Sequence, residues 1–293
     1  MTAPAEMQET LREFARCVTA FGEYRSSVVL TGGLVPFMYR HVPGLTAPEK
    51  FPPAQSFDLD WTVPNPLEER GTPLYKRLLA AGFVVILGGE PPLPVTQFQP
   101  ARFGSVRGPI YIEFLTPRKG GATVRGRDRS VIEVQKGLTA QALPYLDLLL
   151  HKRIAFDISV VPGIGAKQGT EILLPKPMAF ILQKTLARRS RRPHKQASDQ
   201  AHIYDVAVLM RERWPQMNTA LSDLRSAGFP DAWFIRALET LEHLYASPES
   251  DGPVEVARVL KGRTETGAVQ ARSIHRAMRQ FLAALAARTP SSG

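Results

Sequence analysis

The sequence holds a single cysteine, Cys17. One thiol can form no disulfide within the chain and builds no cysteine-rich metal site. Its place among the apolar positions of a helical stripe reads as packing rather than nucleophilic chemistry. Long apolar runs are missing as well: none approaches the roughly 20 residues of a membrane-crossing helix, so no membrane partner is expected. Nor is there a Walker A sequence, a zinc-ligand spacing or a Gly-x-Ser-x-Gly elbow, and the six histidines are scattered singly. No internal repeat of a solenoid or propeller appears. Glu6, Glu9 and Glu13 stand where a secretory leader would carry basic residues before an apolar core, so a cytoplasmic location is expected.

What is present is ordinary for a water-soluble globular protein, with hydrophobic residues at 44% and charged residues at 22%. At 293 residues the chain exceeds the usual single domain, which leaves one large domain or two moderate ones. The formal charge of +10 favours an anionic partner, nucleic acid or nucleotide, because a positive field concentrates phosphates near the surface. A basic surface that serves only solubility is the competing reading.

Along the chain, Met7, Leu11, Phe14, Val18 and Phe21 lie three or four apart, the stripe of an amphipathic helix over residues 5–21. Val28 to Leu30 reads as a buried strand entering the turn Thr31-Gly32-Gly33, with a helix over 34–40 behind it. Residues 41–56 carry Pro43, Gly44, Pro48, Pro52 and Pro53 and suit a loop. Phe57 to Val63 alternates as a strand. A helix is expected over 74–81 and strands over 83–87, 97–103 and 110–115; Thr139 is a candidate cap for a helix reaching Leu150. Further strands are expected over 154–161 and 171–174. The glycines Gly163, Gly165 and Gly169 follow a strand but precede another, so they suit a hairpin and not a dinucleotide loop. From Pro175 onward the pattern is helical: 178–189, 198–213, 221–227, 232–245, 254–260 and 268–287. The expected class is therefore α/β (α+β), a mixed sheet with flanking helices over residues 1–174, followed by a C-terminal helical bundle over 175–293.

Two aspartates separated by one strand residue share a face, so Asp58 and Asp60 bring like charges together. A divalent cation removes that repulsion, and Mg²⁺ (or Mn²⁺) suits oxygen ligands and substrate phosphates. A third carboxylate on a neighbouring strand would complete a two-metal site. Glu113, within Ile110-Tyr111-Ile112-Glu113-Phe114-Leu115, is the candidate, because an acid in an apolar central strand needs a reason to be there. Asp128 and Glu133 are the reserve carboxylates should Glu113 point to the other face. Glycines between strand and helix, Gly32-Gly33, let the backbone approach a phosphate. Taken singly, the Gly-Gly pair also fits an ordinary tight turn, and Asp-Leu-Asp a solvent-facing strand edge.

In this order, Thr31-Gly32-Gly33 followed by Phe57-Asp58-Leu59-Asp60-Trp61 resembles the signature of the DNA polymerase β-like nucleotidyltransferase superfamily, and the helical second half is similar to its AbiEii and MenT toxin branch. The resemblance covers roughly residues 25–210. It implies transfer of NMP from an NTP to a hydroxyl, in some members at the acceptor end of tRNA. It further implies metal ligands Asp58, Asp60 and Glu113, and nucleotide contacts from Thr31, Gly32, Gly33, Lys184 and Arg188. Lys184 would balance triphosphate charge, while Asp199 or Asp205 would orient that lysine or act as a base. Exposed helices joined by salt bridges are the competing reading of these residues. The gap between the Gly-Gly turn and the aspartates is longer than in the family, and residues 41–56 read as an inserted lid. Arg188, Arg189, Arg191, Arg192 and Lys195, with no acid between them, form a basic stretch suited to an RNA acceptor such as tRNA. A toxin-antitoxin setting, with an antitoxin protein as partner, follows from the same resemblance. The alternatives are a transferase acting on a protein or small molecule, and an idle fold that only binds nucleotide or protein.

Overall fold

Met7, Leu11, Phe14, Val18 and Phe21 are all buried and form one face of α1 (Ala5–Phe21). What they bury against is an aromatic cluster on a sheet. Phe14 stacks on Trp61 at 5.6 Å between ring centroids, and Phe21 meets Trp61 edge-on at 4.8 Å. Phe114 extends the cluster, 6.1 Å from Phe21 and 6.1 Å from Phe98. Such offset and edge-on pairs add about 0.5–1.5 kcal/mol each beyond the area they bury.

The structure, a computed structural model, describes residues 5–45, 58–88, 95–102, 110–118, 123–124, 127–128, 131–261 and 271–287. It divides into two compact units, Met1–His41 with Gln55–Pro175, and Val42–Ala54 with Lys176–Gly293. Residues 46–56 of the proposed lid, Phe57 of the aspartate strand and Phe103 lie outside the described residues.

The first unit runs β1 (Val29–Leu30), α2 (Val35–Tyr39), β2 (Leu59–Thr62), α3 (Leu74–Ala80), β3 (Phe83–Gly88), β4 (Val95–Pro100) and β5 (Ile112–Pro117). A small pair, β6 (Thr123–Val124) and β7 (Arg127–Asp128), precedes β8 (Val131–Gln135), β9 (Leu138–Leu143), α4 (Asp147–Leu150), β10 (Ile154–Asp157) and β11 (Glu171–Leu174). Among the described residues the main sheet has nine strands, in the order β10-β11-β1-β2-β5-β4-β3, with β9 and β8 branching from β5. The branch is possible because β5 divides its far edge. Glu113 and Ile112 pair with β4, while Leu115 to Pro117 pair with β9. The sheet is mixed: β2 runs parallel to β5 and β1 parallel to β11, whereas β1 and β2 are antiparallel.

Residues 139–143 are strand and not the start of a helix. Leu138 to Leu143 alternates buried and half-buried, the period-2 pattern of a strand, and pairs with both β8 and β5. Gly137, at φ +80°, closes the β8–β9 hairpin, so Thr139 lies inside a strand and the helix is confined to Asp147–Leu150. β10 and β11 form the expected antiparallel hairpin. Its connecting loop is tied by Asp157, whose carboxylate accepts from Ser159 N at 3.0 Å and Gly169 N at 2.9 Å.

The second unit is helical: α5 (Pro177–Ala187), α6 (Pro193–Leu209), α7 (Trp214–Ser226), α8 (Asp231–Leu244), α9 (Asp251–Lys261) and α10 (Ala271–Ala286). Every residue of α5 is buried, which makes it the central element. It packs on α6, α7 and α8, and α6 in turn packs on α9 and α10.

Candidate active site

Burying Trp61 and Phe114 beneath α1 decides where the acids go. β2 and β5 pair in register, Leu59 with Ile112, Asp60 with Glu113 and Trp61 with Phe114. Leu59, Trp61, Ile112 and Phe114 are buried, so strand alternation sends Asp60 and Glu113 together to the opposite face. Adjacent strands lie about 4.8 Å apart, and both acids are half-buried, so two carboxylates stand side by side with reduced solvent screening. Asp58 is half-buried just before β2, where Leu59 N donates to Tyr111 O at 2.8 Å and prolongs the pairing with the β5 segment.

The glycine turn lies against this pair. Thr31 donates to the carbonyl of Asp60 from its backbone N at 2.8 Å and from its hydroxyl at 3.1 Å. Gly32 has φ +72°, and a methyl placed on it would overlap the Asp60 carboxylate at Oδ2. Glycine is required here twice over, by conformation and by contact. Gly33 is buried behind it. α2 is only five residues long, so it has little macrodipole to offer an anion, and any phosphate contact here falls to the turn's own backbone.

A polar partner that the sequence did not single out sits on the other side of β5. Gln97 pairs in register with Glu113, and its Nε2 donates to Glu113 Oε1. The half-buried Gln97 and Gln99 flanking buried Phe98 were the available signal, since they mark a polar face on β4. Of the reserve carboxylates, Glu133 accepts from Gly137 N at 2.9 Å in the β8–β9 turn, and the side chain of Asp128 lies outside the described residues.

Among the described residues, no three His, Cys, Asp or Glu side chains gather closely enough to cage a metal ion. A closed cage is not what Mg²⁺ requires. It is held by one or two carboxylates and completes its octahedron with water and substrate phosphate, and carboxylates from the register partners Asp60 and Glu113 suit that chemistry.

Within the second unit, Lys184 projects from buried α5 and donates to Asp199 Oδ1 of α6 at 2.5 Å, with the Phe180 ring 5.2 Å from its ammonium. Arg191 Nε reaches Asp199 Oδ2 at 3.4 Å, and His202 Nδ1 lies 4.0 Å from Oδ1. Burial alone would raise the Asp199 carboxyl, but Lys184, Arg191 and His202 reverse this and hold it below the ordinary carboxylate range. Asp205 is buried farther along α6, about a third of a turn away round the helix axis.

The basic stretch is divided in its surroundings. Arg188 makes a bidentate pair with Glu255 of α9 at 2.9 and 3.0 Å, and Arg191 is drawn to Asp199. Arg189, Arg192 and Lys195 are exposed. Glu255 was not anticipated from the sequence, because the pair joins residues 67 positions apart.

No curated protein matches the chain significantly. Residues 9–225 match the model of a family described as nucleotidyltransferase. The span holds most of α1 with its aromatic seat, the Gly32-Gly33 turn, the strands of Asp60 and Glu113, and the helices of Lys184 and Asp199. With most of its length in that match, the chain belongs to the nucleotidyltransferase family and is an enzyme that transfers NMP from an NTP donor.

Proposed function

We propose that the acceptor is a hydroxyl of RNA, with tRNA the favoured substrate, and that transfer depends on Mg²⁺ (or Mn²⁺) at Asp58, Asp60 and Glu113. The observation that carries the metal reading is the in-register pairing of Asp60 with Glu113 beside Gly32, two carboxylates whose repulsion a cation would relieve. The ion would supply charge neutralisation for the triphosphate and activation of the attacking hydroxyl. The chain's own residues do the rest. The Gly32 backbone leaves room beside Asp60, and Gln97 fixes the orientation of Glu113 through its amide. The resemblance assigns Lys184 to the triphosphate, with Asp199 holding its ammonium in one position.

An RNA acceptor is supported by the net charge of +10 and by exposed Arg189, Arg192 and Lys195. The toxin setting, with an antitoxin partner, rests on the family resemblance. The test is incubation with each labelled NTP, Mg²⁺ or Mn²⁺ and total RNA. Label on tRNA that is lost with a chelator is the expected result. Label on protein or on a small molecule would replace the RNA acceptor, and transfer that survives the chelator would remove the metal. Growth arrest on expression, abolished by Asp60→Asn, is expected of a toxin.

A further inference from the structure

α10 lies beyond the residues that match the family model, which end at 225. Its sequence, Ala271-Arg-Ser-Ile-His-Arg-Ala-Met-Arg-Gln-Phe-Leu-Ala-Ala-Leu-Ala286, contains no acidic residue. Ile274, Ala277, Met278, Phe281, Leu282 and Leu285 are buried, and the helix packs them on α6, α7, α8 and α9. Arg272, Arg276 and Arg279 are exposed on the opposite side. Spaced by four and then three residues, they fall within about 60° of one another round the axis and span about 10 Å.

None of these arginines has an ion-pair partner among the described residues, whereas Arg188 and Arg191 of the loop stretch are each held by a buried or half-buried carboxylate. On α10, by contrast, three exposed positive charges share one helix face, and the helix itself holds no acid. We propose that the Arg272-Arg276-Arg279 face of α10 binds the phosphodiester backbone of RNA, an inference that rests on the RNA-acceptor reading and extends it to an element outside the family match.

Three observations favour this occupant. Arginine presents a planar fork of donors that matches phosphate oxygens, and Ser273 and Gln280 beside the stripe are exposed hydrogen-bonding groups of the kind that contact a nucleic-acid backbone. A protein partner would ordinarily require an apolar centre, but no large hydrophobic side chain of α10 is exposed. A lipid surface would need the apolar face of the helix, and that face is spent on α6, α7, α8 and α9.

The experiment compares wild type with a variant carrying Arg272→Gln, Arg276→Gln and Arg279→Gln. Glutamine keeps helix propensity, and the sites are exposed, so equal thermal melts are expected. Binding of a labelled single-stranded oligoribonucleotide is measured between about 50 and 200 mM salt. Removing three phosphate contacts should weaken binding and flatten the slope of log affinity against log salt by about 2, whereas lysine at all three positions should retain it. If wild type and the glutamine variant bind with equal affinity and slope, the α10 proposal is overturned while the RNA acceptor stands. Wild type that binds no RNA overturns both. Wild type that prefers poly-glutamate to the oligoribonucleotide overturns the proposal in favour of an acidic protein partner.

Discussion

Gly32 rests so closely on the carboxylate of Asp60 that no side chain fits between them. Gly82, between α3 and β3, has a similar positive φ of +84° but open space where a side chain would go. The two glycines therefore separate conformation from contact. Gly82→Ala should cost only the left-handed backbone penalty, about 1–2 kcal/mol, and leave transfer intact. Gly32→Ala carries the same penalty, adds about 1–3 kcal/mol of overlap and displaces Asp60, so it should lose both stability and transfer. Thermal melts and transfer assays on both variants check this. Equal effects would mean that the Asp60 contact is unimportant.

Asp60 and Glu113 share a register position, and Gln97 holds Glu113 from the neighbouring strand. If these acids bind the cation, Asp58→Asn and Asp60→Asn should remove most transfer while the fold persists, and relief of like charge would leave the melting temperature equal or higher. Gln97→Leu keeps both acids but frees Glu113 to rotate. The loss expected of such an outer partner is about 10- to 100-fold in activity or metal affinity, partly recovered at high Mg²⁺. Transfer at the wild-type rate by folded Asp60→Asn protein would exclude the carboxylate mechanism.

Arg188 and Arg189 are sequence neighbours with different surroundings. Arg188 has both terminal nitrogens on Glu255, and Arg189 is exposed. Arg188→Ala should therefore lower stability, by about 1.5–3 kcal/mol for the lost charge-assisted hydrogen bonds, while Arg189→Ala should stay within about 0.5 kcal/mol of wild type. Glu255→Gln should reproduce part of the first loss. Denaturant melts of the three variants decide whether the pair is a structural tie between α9 and the end of α5.

The sequence made the acidic face readable because one rule set both of its sides. Alternation along Asp58-Leu59-Asp60-Trp61 separated acids from apolar residues, and the stripe of α1 announced what would cover Trp61. The register that opposes Asp60 to Glu113 was not readable, since it depends on which strands pair across some 50 intervening residues. Gln97 marks a polar face on its strand, but its pairing with Glu113 depends on the same register. The helix expected from Thr139 failed because Leu138-Thr-Ala-Gln-Ala-Leu143 is made of tolerable helix formers, and only its place between β8 and β5 imposes the strand. In the helical half, the apolar periodicities were local and the elements readable, but which carboxylate each arginine meets depends on helix packing. The pairing of Arg188 with Glu255 depends on where α9 packs, and that of Arg191 with Asp199 on how the chain enters α6.

Lys184 and Asp199 form a buried pair with both side chains less than a tenth exposed. Removing one charge would leave the other in a poorly solvated site, so Asp199→Ala should destabilise by about 3–5 kcal/mol near neutral pH. Replacing both with apolar residues, Lys184→Met with Asp199→Leu, should cost much less, since neither charge is then stranded. The pair also sets a pH dependence. Because Lys184, Arg191 and His202 outweigh burial and lower the Asp199 carboxyl, the folded form takes up its proton at lower pH than the unfolded chain does. Its contribution is complete above the unfolded value of about 3.9 and disappears as the pH falls through the lower folded value. The stability gap between wild type and the double apolar variant should therefore be constant from neutral pH down to about 5 and shift against wild type below about 4. Denaturant melts at stepped pH measure that gap. A gap that stays flat to the acid limit would mean that Asp199 gains nothing from its cations. If Asp199→Asn keeps its fold and its NTP affinity but loses transfer, the carboxylate orients Lys184 during the reaction as well as holding the helices together.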